Sequence, residues 1–128
     1  MGKSEDAVLL PVRPAGRRSG LLTSQPVSVL SYLRFALGPE ADRQDFERDM
    51  HLVLELAQDQ PGFQWAEMGP SLTDPVVYVV VSEWDEIDHV RAWEHVEEHE
   101  GIMQKWESRY REPFLHRRFV PWQRPAQP

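Results

Sequence analysis

The chain has 128 residues, enough for one domain with its own core, and its 41% hydrophobic and 27% charged residues are ordinary for a globular protein. A net charge of -7 argues against nucleic acid as a partner, and the absence of cysteine excludes disulfides, thiolate catalysis and Cys-based zinc sites. No apolar run approaches the ~20 residues that span a bilayer, and Leu9-Leu10, preceded by Glu5-Asp6 and broken by Pro11, does not make a signal peptide; no membrane partner and a cytoplasmic location are expected.

Residues 1–25 read as a flexible tail, punctuated by Pro11, Pro14, Gly16 and Gly20. Arg13, Arg17 and Arg18 make it locally basic, and Val8-Leu9-Leu10 and Leu21-Leu22 leave open an arm that packs on a partner subunit. The domain proper is expected over 26–122. Val27 to Leu37 reads as a strand, with Val27, Val29, Leu33, Phe35 and Leu37 on one face and Ser31 as its polar exception. Ser28, Leu30, Tyr32, Arg34 and Ala36 fall on the other face. Gly38-Pro39 ends the strand, and Pro39 suits the first turn of a helix. Phe46, Met50, Val53, Leu54 and Ala57 then recur at helical spacing through about Gln60, where Pro61-Gly62 stops them.

Phe63 to Leu72 is a second strand, bent at Gly69-Pro70, and Thr73-Asp74-Pro75 is a turn. Val76 to Trp84 is a third strand, apolar on both faces as a central strand should be. Asp85 suits the N-cap of a following helix, with Asp88 in its first turn. That helix carries Ile87, Val90, Trp93 and Val96 toward a core, and Glu100-Gly101 marks a break or kink. A further helix carries Ile102, Met103, Trp106 and Tyr110 and ends before Pro113. Phe114 to Trp122 is the fourth strand, and 123–128 form a C-terminal tail.

The order is β-α-β-β-α-β, an α+β ferredoxin-like arrangement with an antiparallel sheet and helices on one face only. Five tryptophans and several strand aromatics are too much apolar surface to leave the other face open. A homodimer stacked sheet to sheet is therefore expected.

Several residues carry two readings. Trp93 and Trp84 are either core tryptophans or the walls of an aromatic pocket. His99 is either a general base with a pKa near neutrality or an exposed histidine at a helix end. Tyr32 or Ser31 either holds a substrate hydroxyl or is a satisfied core group, and His51, beside apolar Met50, reaches the pocket or solvent. Met103 on its apolar stripe is core or pocket lining. His95-Val96-Glu97-Glu98-His99 matches the inverted zinc-peptidase motif H-x-x-E-H. A helix so crowded with Glu and His makes a chance match the better account, and no metal site is assigned. Arg109, Arg111, Arg117, Arg118 and Arg124 make the C-terminal part basic, which suits pairing across a dimer.

Pro61-Gly62-Phe63, Leu72-Thr73-Asp74-Pro75, Ser82-Glu83-Trp84, then Trp93 and His99, stand in the order and spacing of a known family. From 27 to 122 the chain resembles the antibiotic biosynthesis monooxygenases, whose fold is a dimeric α+β barrel. The resemblance implies oxidation of a small aromatic or polyketide-like molecule by oxygen, with no cofactor. Trp84 fits the Trp that closes the family's third strand, and Trp93 and His99 match the Trp and His on and after its next helix. With the residue readings above, Trp84 and Trp93 are expected as pocket walls, Ser31, His51 and Met103 as further substrate contacts, and His99 and Tyr32 as catalytic groups. Two departures matter. Catalytic members often use an Asn, and this chain has none; that leaves a non-catalytic ligand-binding dimer as the alternative. Heme-degrading members use an Asn, a Trp and a His that fall on Leu33, Trp93 and Met103, so that route is disfavoured.

Overall fold

The computed structural model describes residues 27–122, and both expected tails lie outside them. Four strands are present: β1 (Val29–Ala36), β2 (Phe63–Pro70), β3 (Val77–Trp84) and β4 (Leu115–Phe119). They form one sheet in the order β2-β3-β1-β4, with every neighbouring pair antiparallel. Helices α1 (Arg43–Gln58), α2 (Ile87–Glu94) and α3 (Glu97–Glu107) complete an α+β ferredoxin-like fold. None of these helices is long and apolar enough to cross a membrane.

Register fixes the faces. Ser31 pairs with Ser82, Leu33 with Val80 and Phe35 with Tyr78, and this face lies under the helices. Leu30, Tyr32, Val79 and Val81 point to the other face, as strand alternation requires. In β2 the register shifts between Phe63 and Trp65. The extra residue re-aims the side chains on either side of it. Phe63 meets Trp84 edge-on beneath the helices, while Trp65 reaches across the open face to donate to Glu83 at 2.8 Å. Glu83, the middle residue of the Ser-Glu-Trp segment, is fully buried and also accepts from Ser28 at 2.7 Å. It is a structural carboxylate, holding β2 and the start of the domain to β3.

The first helix begins later than Pro39 suggested. Asp42 is the N-cap, accepting from the Gln44 amide at 2.9 Å, and Pro39 sits in the preceding turn. Phe46, Met50 and Ala57 are its buried stripe. Asp49 on the same helix accepts from Trp106 Nε1 at 2.8 Å and Lys105 Nζ at 2.7 Å, tying α1 to α3.

The segment after β3 differs from expectation in two ways. Glu86, not Asp85, is the N-cap of α2, and it makes no side-chain cap bond. Asp85 instead pairs with His89, Oδ1 to Nδ1 at 2.6 Å. Both side chains close over Gly62, whose φ of 83° and lack of a Cβ admit them. The helical break also falls at His95-Val96 rather than at Glu100-Gly101. Val96 is extended and packs on the core around Trp93, which stops α2 there. Glu97, Glu98 and Glu100 then favour a new N-terminus through the helix dipole. Gly101 lies inside α3 with open space around it, so it neither breaks nor kinks the chain.

The core has two centres. One gathers Phe35, Phe46, Met50, Tyr78 and Trp106; the other gathers Val29, Ala57, Trp84, Val90 and Trp93. Between them, over Ser31, Leu33, Val80 and Ser82, the space between sheet and helices is not filled.

Candidate active site

That unfilled space is a cavity of about 270 Å³. It lies just below the usual range for ligand sites, roughly 300–1,000 Å³. It has room for a two- or three-ring aromatic molecule. Its floor is β1 and β3, its roof is α1 and α3, and Phe63, Ala66 and Met68 of β2 close one side.

One wall is a continuous aromatic series. Phe63 meets Trp84 with ring centroids 5.4 Å apart, and Trp84 stacks on Trp93 at 6.0 Å. Trp93 in turn stacks on His99 at 4.0 Å with the rings 7° from parallel. All four line the cavity. The series exists because of the helix break. Restarting the helix at Glu97 turns its third residue, His99, back onto the last turn of α2.

His99 is accordingly buried, not exposed. Its Nδ1 lies 3.1 Å from the Trp93 carbonyl oxygen. A carbonyl only accepts, so Nδ1 carries the proton in the neutral ring and Nε2 carries the lone pair. Burial pushes the imidazole below its usual range; the bond to the Trp93 carbonyl and the nearby Glu100 oppose this without cancelling it. The ring is therefore neutral at pH 7 and available as a base. A general base of lowered pKa should give kcat/KM an acid limb that falls below the ordinary histidine value of about 6.5. The linked stability term has the same sign. It is fully present above the unfolded value and is lost as pH falls from there through the lowered folded value. A limb centred above 6.5 in a pH–rate profile would contradict this assignment.

The remaining polar groups sit in two places. Ser31 and Ser82 face the cavity from the sheet. Glu94, Glu100 and His116 line it toward α2, α3 and β4. Glu94 pairs closely with Arg118 and lies 3.6 Å from His116 Nε2. Burial, with Arg117 adding to it, lowers the pKa of His116.

Of the site residues read from the sequence, Trp84, Trp93, His99, Ser31 and Met103 all line this one cavity. Tyr32 does not. It lies on the opposite face of the sheet, between Val81 and Arg117 in register, and cannot touch a ligand in the cavity. His51 does not either; it is exposed, and its neighbour Met50 takes the inward position on α1. Ser82, Glu94, Glu100 and His116 are cavity residues that the sequence reading did not single out. The inverted zinc motif does not assemble, because His95 is exposed outside both helices while His99 is buried. Among the described residues, Asp85, Glu86 and His89 bring potential metal-ligand atoms within 4.8 Å of one another. None of them lines the cavity, and the hydrogen bond to Asp85 raises the pKa of His89 toward an ordinary ion pair.

A four-stranded antiparallel sheet with helices on one face, and an aromatic cavity between, defines a ferredoxin-like α+β domain. The family model for antibiotic biosynthesis monooxygenases matches residues 32–105, and the chain belongs to that family. No curated protein matches it in sequence. Among solved structures it is similar to a candidate antibiotic biosynthesis monooxygenase from Nitrosomonas europaea, with a TM-score of 0.70 at 13% identity, over 78% of this chain and 95% of that one. It is similar to SnoaB, a cofactor-independent oxygenase from Streptomyces nogalater, with a TM-score of 0.67 at 17% identity, over 79% and 99%. Rv0793 from Mycobacterium tuberculosis gives 0.69 at 11% identity, over 77% and 99%. At these identities the likeness establishes the fold.

Proposed function

We propose that this protein is a monooxygenase that oxidises a planar aromatic, polyketide-like phenol or anthrone with molecular oxygen and needs no cofactor. The observation that carries the reading is His99: a neutral, buried imidazole with its lone pair on Nε2, at the end of an aromatic wall. Membership of the family and the shared fold with SnoaB support the reaction class.

For an anthrone the steps balance as follows. His99 Nε2 takes a proton from the ring CH2, and the electron pair of the broken C–H bond spreads onto the carbonyl oxygen as a phenolate. The electron-rich carbon donates to oxygen and a C–O bond forms there. One oxygen atom stays as the new quinone carbonyl. The other leaves as water with the two hydrogens lost from the carbon, so anthrone plus O2 gives anthraquinone plus water. Trp84 and Trp93 hold the ring plane, and the apolar lining excludes water from the phenolate. An oxygen electrode tests this: one O2 consumed per quinone formed is expected, and the absence of protein-dependent uptake with any planar phenol rules it out.

The lack of asparagine favours a second reading, a dimer that binds such phenols without oxidising them. Heme degradation draws no support, since Leu33 and Met103 occupy the positions of its polar residues and the cavity is small for a porphyrin.

We further infer a homodimer joined through the open sheet face, where Leu30, Tyr32, Val79, Val81 and the 53% exposed Phe119 lie together. Light scattering at micromolar concentration should give twice the 14.9 kDa chain mass. Val79→Asp, which places a charge on that face, should shift the protein to monomer or unfold it. A wild type that stays monomeric would contradict the interface.

A further inference from the structure

Removing a proton from the substrate is only half of the chemistry, because the charge it leaves on oxygen must be held. Two hydroxyls stand where that can happen. Ser31 of β1 and Ser82 of β3 are register partners on the cavity floor. Cross-strand partners on one face lie about 5 Å apart at Cβ, close enough for two hydroxyls to share one oxygen atom.

Their hydrogen bonds are informative. Ser82 Oγ accepts from Trp84 Nε1 at 3.0 Å. That bond occupies a lone pair, polarises the hydroxyl and leaves its own proton to be donated. Ser31 is only 7% exposed as a residue, its hydroxyl makes no hydrogen bond among the described residues, and its oxygen is not among the sealed, unpartnered polar atoms, so it opens into the cavity that Ser31 lines. A hydroxyl that opens into a cavity and is not used by the protein is free to donate to whatever occupies the cavity, water or a ligand. The other side chains that β1 and β3 place on the floor between the two core centres are apolar, Leu33, Phe35 and Val80, with His116 beside Leu33 on the edge strand β4. The polar pair is therefore confined to one spot, across the cavity floor from the roof of α1 and α3.

We propose that Ser31 and Ser82 form a two-donor oxyanion site for the phenolate oxygen of the substrate, with Trp84 as the positioning residue that aims the Ser82 hydroxyl. The ligand class is then narrower than any apolar aromatic. It is a planar molecule with a hydroxyl or carbonyl on one edge, set toward the sheet, and its acidic C–H or O–H within reach of His99. This deepens the monooxygenase reading and rests on it for the turnover arm of the test alone. No bond in the step is new: the proton still goes to His99 Nε2, and the two serine O–H groups donate to the oxygen that gains the charge.

Ser31→Ala is the clean variant, because it removes no hydrogen bond within the protein. 2-Naphthol is the probe, since its phenol and phenolate forms differ in absorbance and it need not turn over. Two donors to the charged form should lower the pKa of the bound naphthol. Ser31→Ala should raise it by about one unit, a tenfold change in the ionisation constant, at unchanged melting temperature. With anthrone, Ser31→Ala should lower kcat by about 10²-fold, as for loss of one oxyanion donor, and leave KM nearly unchanged. Ser31→Thr, which keeps the hydroxyl, should restore the bound pKa. A bound pKa that is the same in wild type and Ser31→Ala overturns the proposal, whether or not anthrone is oxidised. A shifted pKa with no oxidation by the wild type supports the oxyanion site and sinks the monooxygenase reading. Failure of naphthol to bind overturns both.

Discussion

His99→Gln is expected to lower kcat for an anthrone by about 10²–10⁴-fold, the usual contribution of a positioned general base, while substrate binding changes little. Glutamine is the right replacement, since its side-chain amide can still donate to the Trp93 carbonyl that now takes the Nδ1–H bond. What it lacks is a lone pair of imidazole basicity on the cavity side. The proton-transfer step then loses its acceptor, and kcat and kcat/KM should fall together. The acid limb of the pH profile should vanish with the imidazole. Stopped-flow or oxygen-uptake kinetics across pH 5–8 read both effects. Turnover within a few-fold of wild type would show that another group takes the proton and would return His99 to the role of a core histidine.

Trp84→Ala should cost the fold about 3–5 kcal/mol, the range for large aromatic truncations in a core. Trp84 is 1% exposed and touches both Phe63 and Trp93, so its loss opens a void that joins the cavity. It also frees the Ser82 hydroxyl from the bond that orients it. Urea unfolding followed by circular dichroism measures the difference. A loss below about 1 kcal/mol would mean that the second core centre relaxes around the gap and that Trp84 is not its keystone.

Much of this site was legible in the residues. Alternation in β1 set Ser31 apart as the polar exception on an apolar face, and that serine sits on the cavity floor. Trp84 at a strand end and Trp93 on an amphipathic helix faced the same interior, as their spacing required. Other residues were placed wrongly for identifiable reasons. Tyr32 alternates with Ser31, so the two always occupied opposite faces; composition alone does not say which face the helices cover. His51 neighbours an inward residue, but a 100° step on a helix is enough to carry it to solvent. Ser82 was hidden inside a segment read for its Glu and Trp, although its cross-strand partner is Ser31.

The burial of His99 was the least visible feature. An acidic, histidine-rich run looks like a solvated helix face, and Glu100-Gly101 looks like its break. The chain instead turns at Val96, a β-branched residue held by core contacts that no local propensity expresses. That displacement by five residues converts an exposed helix-end histidine into a stacked, desolvated one. The fold class survives such an error, since strand order and alternation do not depend on it. The chemistry does not, because it depends on where one ring points.

A planar aromatic substrate is proposed to bind in the cavity walled by Trp84, Trp93 and His99. Tryptophan fluorescence during titration with 2-naphthol, in wild type and Trp93→Phe, reads that binding. Stacking on an indole contributes about 1 kcal/mol beyond burial, so the variant should bind roughly fivefold more weakly, with quenching in the wild type and a nearly unchanged melting temperature. Equal affinities, or quenching in neither protein with only the melting temperature altered by the substitution, would make Trp93 a core residue and the cavity a packing gap.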